Sequence, residues 1–294
     1  MGTSRTACSI DMNESAIVRL HESDSGECTL TGCAVLPFGL DDLSAGKGKR
    51  LLKKLASHLR KLRSEHLAFC ISAEIYLSLP TSFAPGSTSE EIRSACMLES
   101  EYFLSDPSAF HCDVAGTDED GDEGIHEKRL MLFYPGEPAR TLISHFSTEQ
   151  SIRFCCSPQL SLLHLSERAK SPLAVLEIEN RYILLAVANN GRFEKFSCRQ
   201  VKSRDEAMYF TIRELSANPR FRETGIQVSG SLADKAMHTL IEKETQVKTR
   251  PLGIPPSLRL SNPDRFPIAS PAAIRAISTA LMALKNGVPA TFLL

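Results

Sequence analysis

The order strand, strand, strand, helix occurs twice in this chain of 294 residues, and that recurrence limits its possible folds more than any single motif does. The segments "ACSIDM", "SAIVRLHE" and "CTLTGCAVL" run apolar or alternate over strand length, separated by turns at "NE" and "SDSGE". The stretch "DDLSAGKGKRLLKKLASHLRKLRSE" then sets Leu51, Leu52, Leu55, Leu59 and Leu62 on one helical face, with Ser44 as its cap. The same order returns in "PLAVLEIE", "YILLAVA" and "RFEKFSCRQV", joined by "NR" and by the hairpin turn "NNG". After it comes "SRDEAMYFTIREL", whose Ser203 and Glu206 form a capping box. Aligning Asp11 with Glu177 also aligns Ile17 with Ile183 and brings Gly26 within one residue of Gly191, which predicts a duplicated βββα unit.

Between the two units lies an insertion. "HLAFCISAE" and "YLSLPTSF" read as strands and "STSEEIRSACMLESEYFL" as a helix. "AFHCDVAG" and "KRLMLFY" read as a hairpin around the acidic loop "TDEDGDEGIHE", followed by a helix, the strand "IRFCC" and the helix "PQLSLLHLSER". In "SPAAIRAISTALMALKNG", Ser270 caps a helix, Pro271 fits its first turn, Ile274, Ile277, Leu281 and Leu284 form a stripe, and Gly287 stops it. The predicted fold class is α/β with mixed sheets in two lobes. The first lobe covers 1–168 with an inserted α+β subdomain at about 72–136. The second covers 169–294, its helix 270–287 packing back toward the first.

Composition narrows the chemistry. With 42% hydrophobic residues, a net charge of −1 and a pI near 6.7, nothing global asks for nucleic acid or an anionic surface as partner. No stretch nears the ~18–20 apolar residues of a membrane span and the N-terminus lacks a signal-peptide run, so a cytoplasmic location is expected. The nine cysteines are odd in number, scattered and without a Cys-x-x-Cys pair, which suits reduced, mostly buried thiols. There is no His-Glu-x-x-His, no Gly-x-Ser-x-Gly and no P-loop, so hydrolase and metal chemistry are not expected. The loop from Asp118 to Glu123 imitates the start of a calcium loop. Glu123 stands where glycine is needed and Arg129 where a bidentate glutamate belongs, so a solvated hairpin loop is expected.

Two βββα units, an insertion after the first and a late helix resemble the actin-like ATPase superfamily, with its ribonuclease H-like fold. Within it the chain looks most like the bacterial type IV pilus assembly protein PilM family and the actin-like cytoplasmic domains of type II secretion. The resemblance is carried by "SIDMNESAIVRL", "CAVLPFGLDDL", "YLSLP" with "EEIRSACMLESEYFL", "LEIENRYILLAVANNGRF" and "IQVSGSLADKAMHTL", in order over residues 7–285.

The resemblance implies a nucleotide site at Asp11, Asn13, Glu14, Glu177, Glu179 and Gly230, and the residues present argue against its use. In the superfamily the phosphate turns are Asp-x-Gly followed by small hydroxyl residues, because phosphate oxygens must reach backbone N–H groups. Here Asn13 and Glu179 stand for glycines, Glu14 for a hydroxyl residue and Glu177 for an aspartate. Two unit charges ~4 Å apart interact by roughly 4 kcal/mol at a surface-like dielectric, so Glu14 and Glu179 would oppose a triphosphate. Of the glycine pair before a helix, only Gly230 survives.

The leading expectation is therefore a non-enzymatic actin-like scaffold without a cofactor. It would bind a peptide tail of a membrane-anchored partner in a groove between the first lobe and the insertion, as the resemblance implies. Lys47, Lys49, Arg50, Lys53, Lys54, Arg60, Lys61 and Arg63 form an acid-free basic run that would face anionic lipid at the inner membrane; no nucleic-acid partner is expected. Two alternatives stand beside it: an active ATPase or small-molecule kinase using Mg-ATP, and an unrelated α+β structural protein.

Overall fold

The computed structural model describes residues 2–44, 48–62, 66–117, 126–147, 151–167, 169, 171–262, 266–267, 270–285 and 290–294. The first meander is β1 (Thr3–Ile10), β2 (Ser15–Glu22) and β3 (Cys28–Leu36), followed by α1 (Leu40–Ser44), α2 (Gly48–Lys61) and β4 (His66–Ile71). The insertion supplies β5 (Leu77–Phe83), α3 (Ser89–Phe103), β6 (Phe110–Gly116) and β7 (Glu127–Pro135). Then come α4 (Glu137–Phe146), β8 (Ser151–Cys156) and α5 (Pro158–Ser166). The second meander is β9 (Leu173–Ile178), β10 (Tyr182–Asn189) and β11 (Arg192–Gln200), with α6 (Arg204–Ser216), α7 (Arg220–Thr224), β12 (Ile226–Ser229), α8 (Lys235–Thr245) and β13 (Thr249–Pro251) after it. The chain ends with β14 (Arg259–Leu260), α9 (Pro271–Leu284) and β15 (Thr291–Leu293).

These strands make three sheets, in the orders β14-β3-β2-β1-β4-β8, β11-β10-β9-β12-β13 and β15-β6-β7-β5. In the first two the meander pairs antiparallel, and β4 or β12 then joins parallel beside β1 or β9. Side chains alternate between sheet faces, which explains the layering. Ala7 and Val18 face one core while Cys8, Ile10 and Ile17 face another, formed with α2 and α4. On the far side of the second sheet, Leu176, Ile178, Ile183 and Leu185 meet α6 and α8. Helices α5 and α9 fill the middle layer, α9 lying against β1, β2 and β4 and beside α5. The third sheet packs its own small core under α3.

The two βββα units and the insertion follow the expected order, and three local expectations are corrected. The basic stretch is two helices, α1 ending at Ser44 and α2 starting at Gly48, because the backbone of α1 is committed to the first turn. There Leu40 N donates to Asp11 O at 2.9 Å and Asp41 N to Met12 O at 3.2 Å. A Cβ on Gly39 would lie 2.2 Å from Met12 O, so only glycine allows that approach. The expected one-sided stripe on α9 is also replaced. Its residues from Ala272 to Leu284 are buried all round, since the helix is enclosed between two sheets. Thirdly, the turn bonds Asp11 N to Glu14 O and Glu179 N to Tyr182 O, both 2.9 Å, put Asp11 in hairpin register with Glu179 and not with Glu177. A shift of two keeps the same sheet face, which is why the residue pattern could not distinguish the two alignments.

The cap at Ser270 holds, its Oγ accepting from Ala273 N. Seven cysteines are buried and Cys33 and Cys198 are half-buried. The stop at Gly287, the acidic loop from Asp118 to Glu123, and Lys47 and Arg63 of the basic run lie outside the described residues. Among the described residues, no helix is long and apolar enough to cross a membrane.

Candidate functional site: a guanidinium between two acidic turns

The turn after β1 and the end of β9 meet at the middle of the molecule, and α9 passes between them. Asp11, 7% exposed, accepts hydrogen bonds from Ser9 Oγ and Ser72 Oγ, each at 2.9 Å. Its other oxygen accepts from Arg275 Nη1 at 2.5 Å, and Nη1 also donates to Ser72 Oγ at 3.0 Å. Arg275 Nη2 lies 3.0 Å from Glu177 Oε1 and 3.6 Å from Glu179 Oε1, at ion-pair distance without hydrogen-bond alignment. One buried cation thus touches both turns. Tyr182 donates its hydroxyl to Glu177 and stacks edge-on with Tyr76, ring centroids 5.6 Å apart.

The charge state follows from these neighbours. Burial alone would depress the pKa of Arg275, but Asp11 and then Glu177 reverse it and hold it well above the usual value. Burial raises the Glu177 pKa, and Arg275 pulls it back only in part, while Glu179 pushes it up again.

The other expected positions have structural work. Glu14 Oε1 accepts from Ser270 Oγ at 2.8 Å and from Ala272 N at 3.2 Å, so it caps α9. Glu179 Oε2 accepts from Ser231 N at 3.1 Å and Ser231 Oγ at 2.5 Å, tying the second turn to the loop before α8. Gly230 has φ of +105°, and a Cβ there would lie 2.3 Å from Ile178 O. Its lack of a side chain serves close packing of backbone on backbone. Asn13 is exposed at the rim. Beside Asn13 and Glu179 a cavity of about 220 Å³ opens, also lined by Asp41, Glu74 and Arg181. It is smaller than the roughly 300–1,000 Å³ of small-molecule pockets.

Sequence reasoning found Asp11, Glu177 and Glu179 but missed Arg275, Ser72 and Tyr182. One signal was present: Arg275 is the sole charged residue of α9, "PAAIRAISTALMAL". A single charge in so apolar a helix requires a buried partner.

A second concavity, of about 500 Å³, runs between the first and third sheets. Arg93 of α3, His111 of β6, Ile143 of α4, Ile152 and Phe154 of β8, and Phe292 of β15 line it. Each strand beside it, β8 and β15, stands at one end of its sheet's order. His111 is buried with neither ring nitrogen in a hydrogen bond, although Nε2 lies 3.4 Å from Asp113 Oδ1.

Three sheets in this order, two matching βββα halves and a site at their paired turns define the actin-like ATPase fold, and comparison with solved structures agrees. The structure is similar over 96% of this chain and 99% of the other to a PilM-PilN type IV pilus biogenesis complex, with a TM-score of 0.71 and 14% identity. A protein of actin-like ATPase fold and unknown function from Bacteroides thetaiotaomicron matches with a TM-score of 0.50 and 10% identity, over 94% and 96% of the two chains. The cytoplasmic domain of EpsL, an inner membrane component of the type II secretion system of Vibrio cholerae, matches at 0.46 and 12% over 87% and 92%. No protein-family profile and no curated protein matches the sequence.

Proposed function

We propose that this protein is a non-enzymatic, actin-like scaffold that holds a peptide segment of a membrane-anchored partner and uses no nucleotide. The carrying observation is Arg275. Its guanidinium fills the space between the two acidic turns and neutralises Asp11 and Glu177 from within the protein. Mg-ATP does not fit residues so arranged. A triphosphate would have to displace a buried arginine held by two carboxylates, then face Glu14 and Glu179 where the fold's nucleotide-binding members present glycine and hydroxyls. The acids retained at Asp11 and Glu177, which favoured an ATPase in sequence, are accounted for as partners of Arg275.

The groove between the first and third sheets is the proposed peptide site. It has apolar walls in Ile143, Phe154 and Phe292, polar anchors in Arg93 and His111, and two end strands beside which an extended segment can lie. The similarity to a PilM-PilN complex supports this reading, because that assembly pairs a protein of this fold with a second protein in pilus biogenesis.

Thermal unfolding with and without millimolar Mg-ATP tests the first part. A ligand at ~100 times its dissociation constant adds roughly 2.7 kcal/mol, several degrees in midpoint, so no shift is expected and a clear one overturns the reading. For the second part, a photo-crosslinking residue at Ile152 should capture a membrane protein through a short terminal segment. Loss of that product on changing the half-buried groove residue Phe292 to Glu is expected; its persistence would place the partner elsewhere.

A further inference from the structure

Two helices of the first half carry charges of the wrong sign at one end, and each turns those charges outward. Helix α3 buries Ile92 and Cys96 and exposes Met97, Leu98, Tyr102 and Phe103, at 46%, 56%, 77% and 61%. It also exposes Glu101 in its last turn, where the helix dipole disfavours an anion and no basic residue compensates. Helix α2 is the converse. It buries Leu52, Leu55 and Leu59, has no acid in its first turn, and exposes Lys49 and Arg50 there, where the dipole disfavours cations; Lys53 continues the face. Among the described residues, none of Lys49, Arg50, Lys53, Glu101 and Arg93 has an ion pair.

We propose that these two faces are halves of one interface, the C-terminal half of α3 on one copy docking against the N-terminal half of α2 on a second copy. The contact would bring Glu101 and the negative end of α3 against Lys49, Arg50 and the positive end of α2, relieving both mismatches at once. Tyr102 and Phe103 would cover the aliphatic stems of the lysines and receive their ammonium groups on the ring faces. Because the two patches differ, the contact is heterologous and propagates head to tail. An anionic membrane would satisfy α2 only, leaving the acidic, apolar face of α3 uncovered, and α2 has no large exposed apolar side chain to anchor it in lipid. The inference is independent of the nucleotide and peptide readings.

Sedimentation velocity of the full chain tests it. The wild type should form species that grow with protein concentration and dissociate in high salt, where the screening length falls toward ~3 Å. Leu98→Lys with Tyr102→Lys, which sets like charge against the α2 face, should sediment as a monomer, as should Lys49→Glu with Lys53→Glu; all four sites are exposed, so folding is retained and is checked by circular dichroism. An equimolar mixture of the two double variants should form a single one-to-one dimer, since each keeps one intact half. A monomeric wild type, assembly that survives both changes, or a mixture that stays monomeric overturns the proposal. So does binding to phosphatidylglycerol vesicles that is lost with the α2 changes while no assembly occurs, which would assign α2 to lipid.

Discussion

Arg275 and Asp11, 264 residues apart in sequence, form a buried ion pair between the last helix and the first turn. The last helix thereby ties the first turn to the far end of the chain from within the protein. Four measurable consequences follow from that tie and from the turns around it.

Replacing Arg275 by Met should cost about 3–5 kcal/mol in urea unfolding, because it leaves buried carboxylates without their cation. The loss should shrink on acidification. Without the guanidinium, nothing from Arg275 opposes the burial that raises the folded-state pKa of Glu177, so its contribution is present below its unfolded value and lost as pH rises. A penalty independent of pH would show that the arginine acts by packing alone.

Glu177 should leave its own mark on the wild type. Its folded pKa is raised from 4.5, chiefly by burial. A raised carboxyl stabilises fully below its unfolded value and loses that contribution as pH rises through the folded value. Urea midpoints of wild type and Glu177→Gln, followed from acid to neutral pH, should therefore differ in slope, the variant gaining on the wild type toward neutrality.

At Gly230, alanine should destabilise by about 1–3 kcal/mol from backbone conformation alone. The clash with Ile178 O, which a Cβ would approach to 2.3 Å, adds to that. Chemical denaturation measures it, and a neutral substitution would mean that the loop between β12 and α8 can move off β9.

Glu14 should behave as a helix cap. Its change to Ala should cost on the order of 1 kcal/mol. A double-mutant cycle with Ser270→Ala should show coupling, because both residues serve the same first turn of α9. Additive losses would separate the two caps.

Local chemistry made much of this protein legible from its residues. Period-two strands, the "NNG" hairpin, and the caps at Ser270 and Ser203 are short-range signals that act within a few residues, and the structure keeps them. The duplication and the acidic turns were visible for the same reason. The alignment of those turns slipped by two residues, because strand periodicity is blind to such a shift and only the hairpin's hydrogen bonds decide it.

What no local pattern could supply was the meeting of Arg275 with Asp11, Glu177 and Glu179. Sequence set the charges and the apolar helix that carries one of them. The tertiary structure alone brought α9 between two sheets, where the low dielectric makes an isolated charge untenable and a shared guanidinium stable. That placement links residues 264 positions apart, so it depends on the packing of the whole chain.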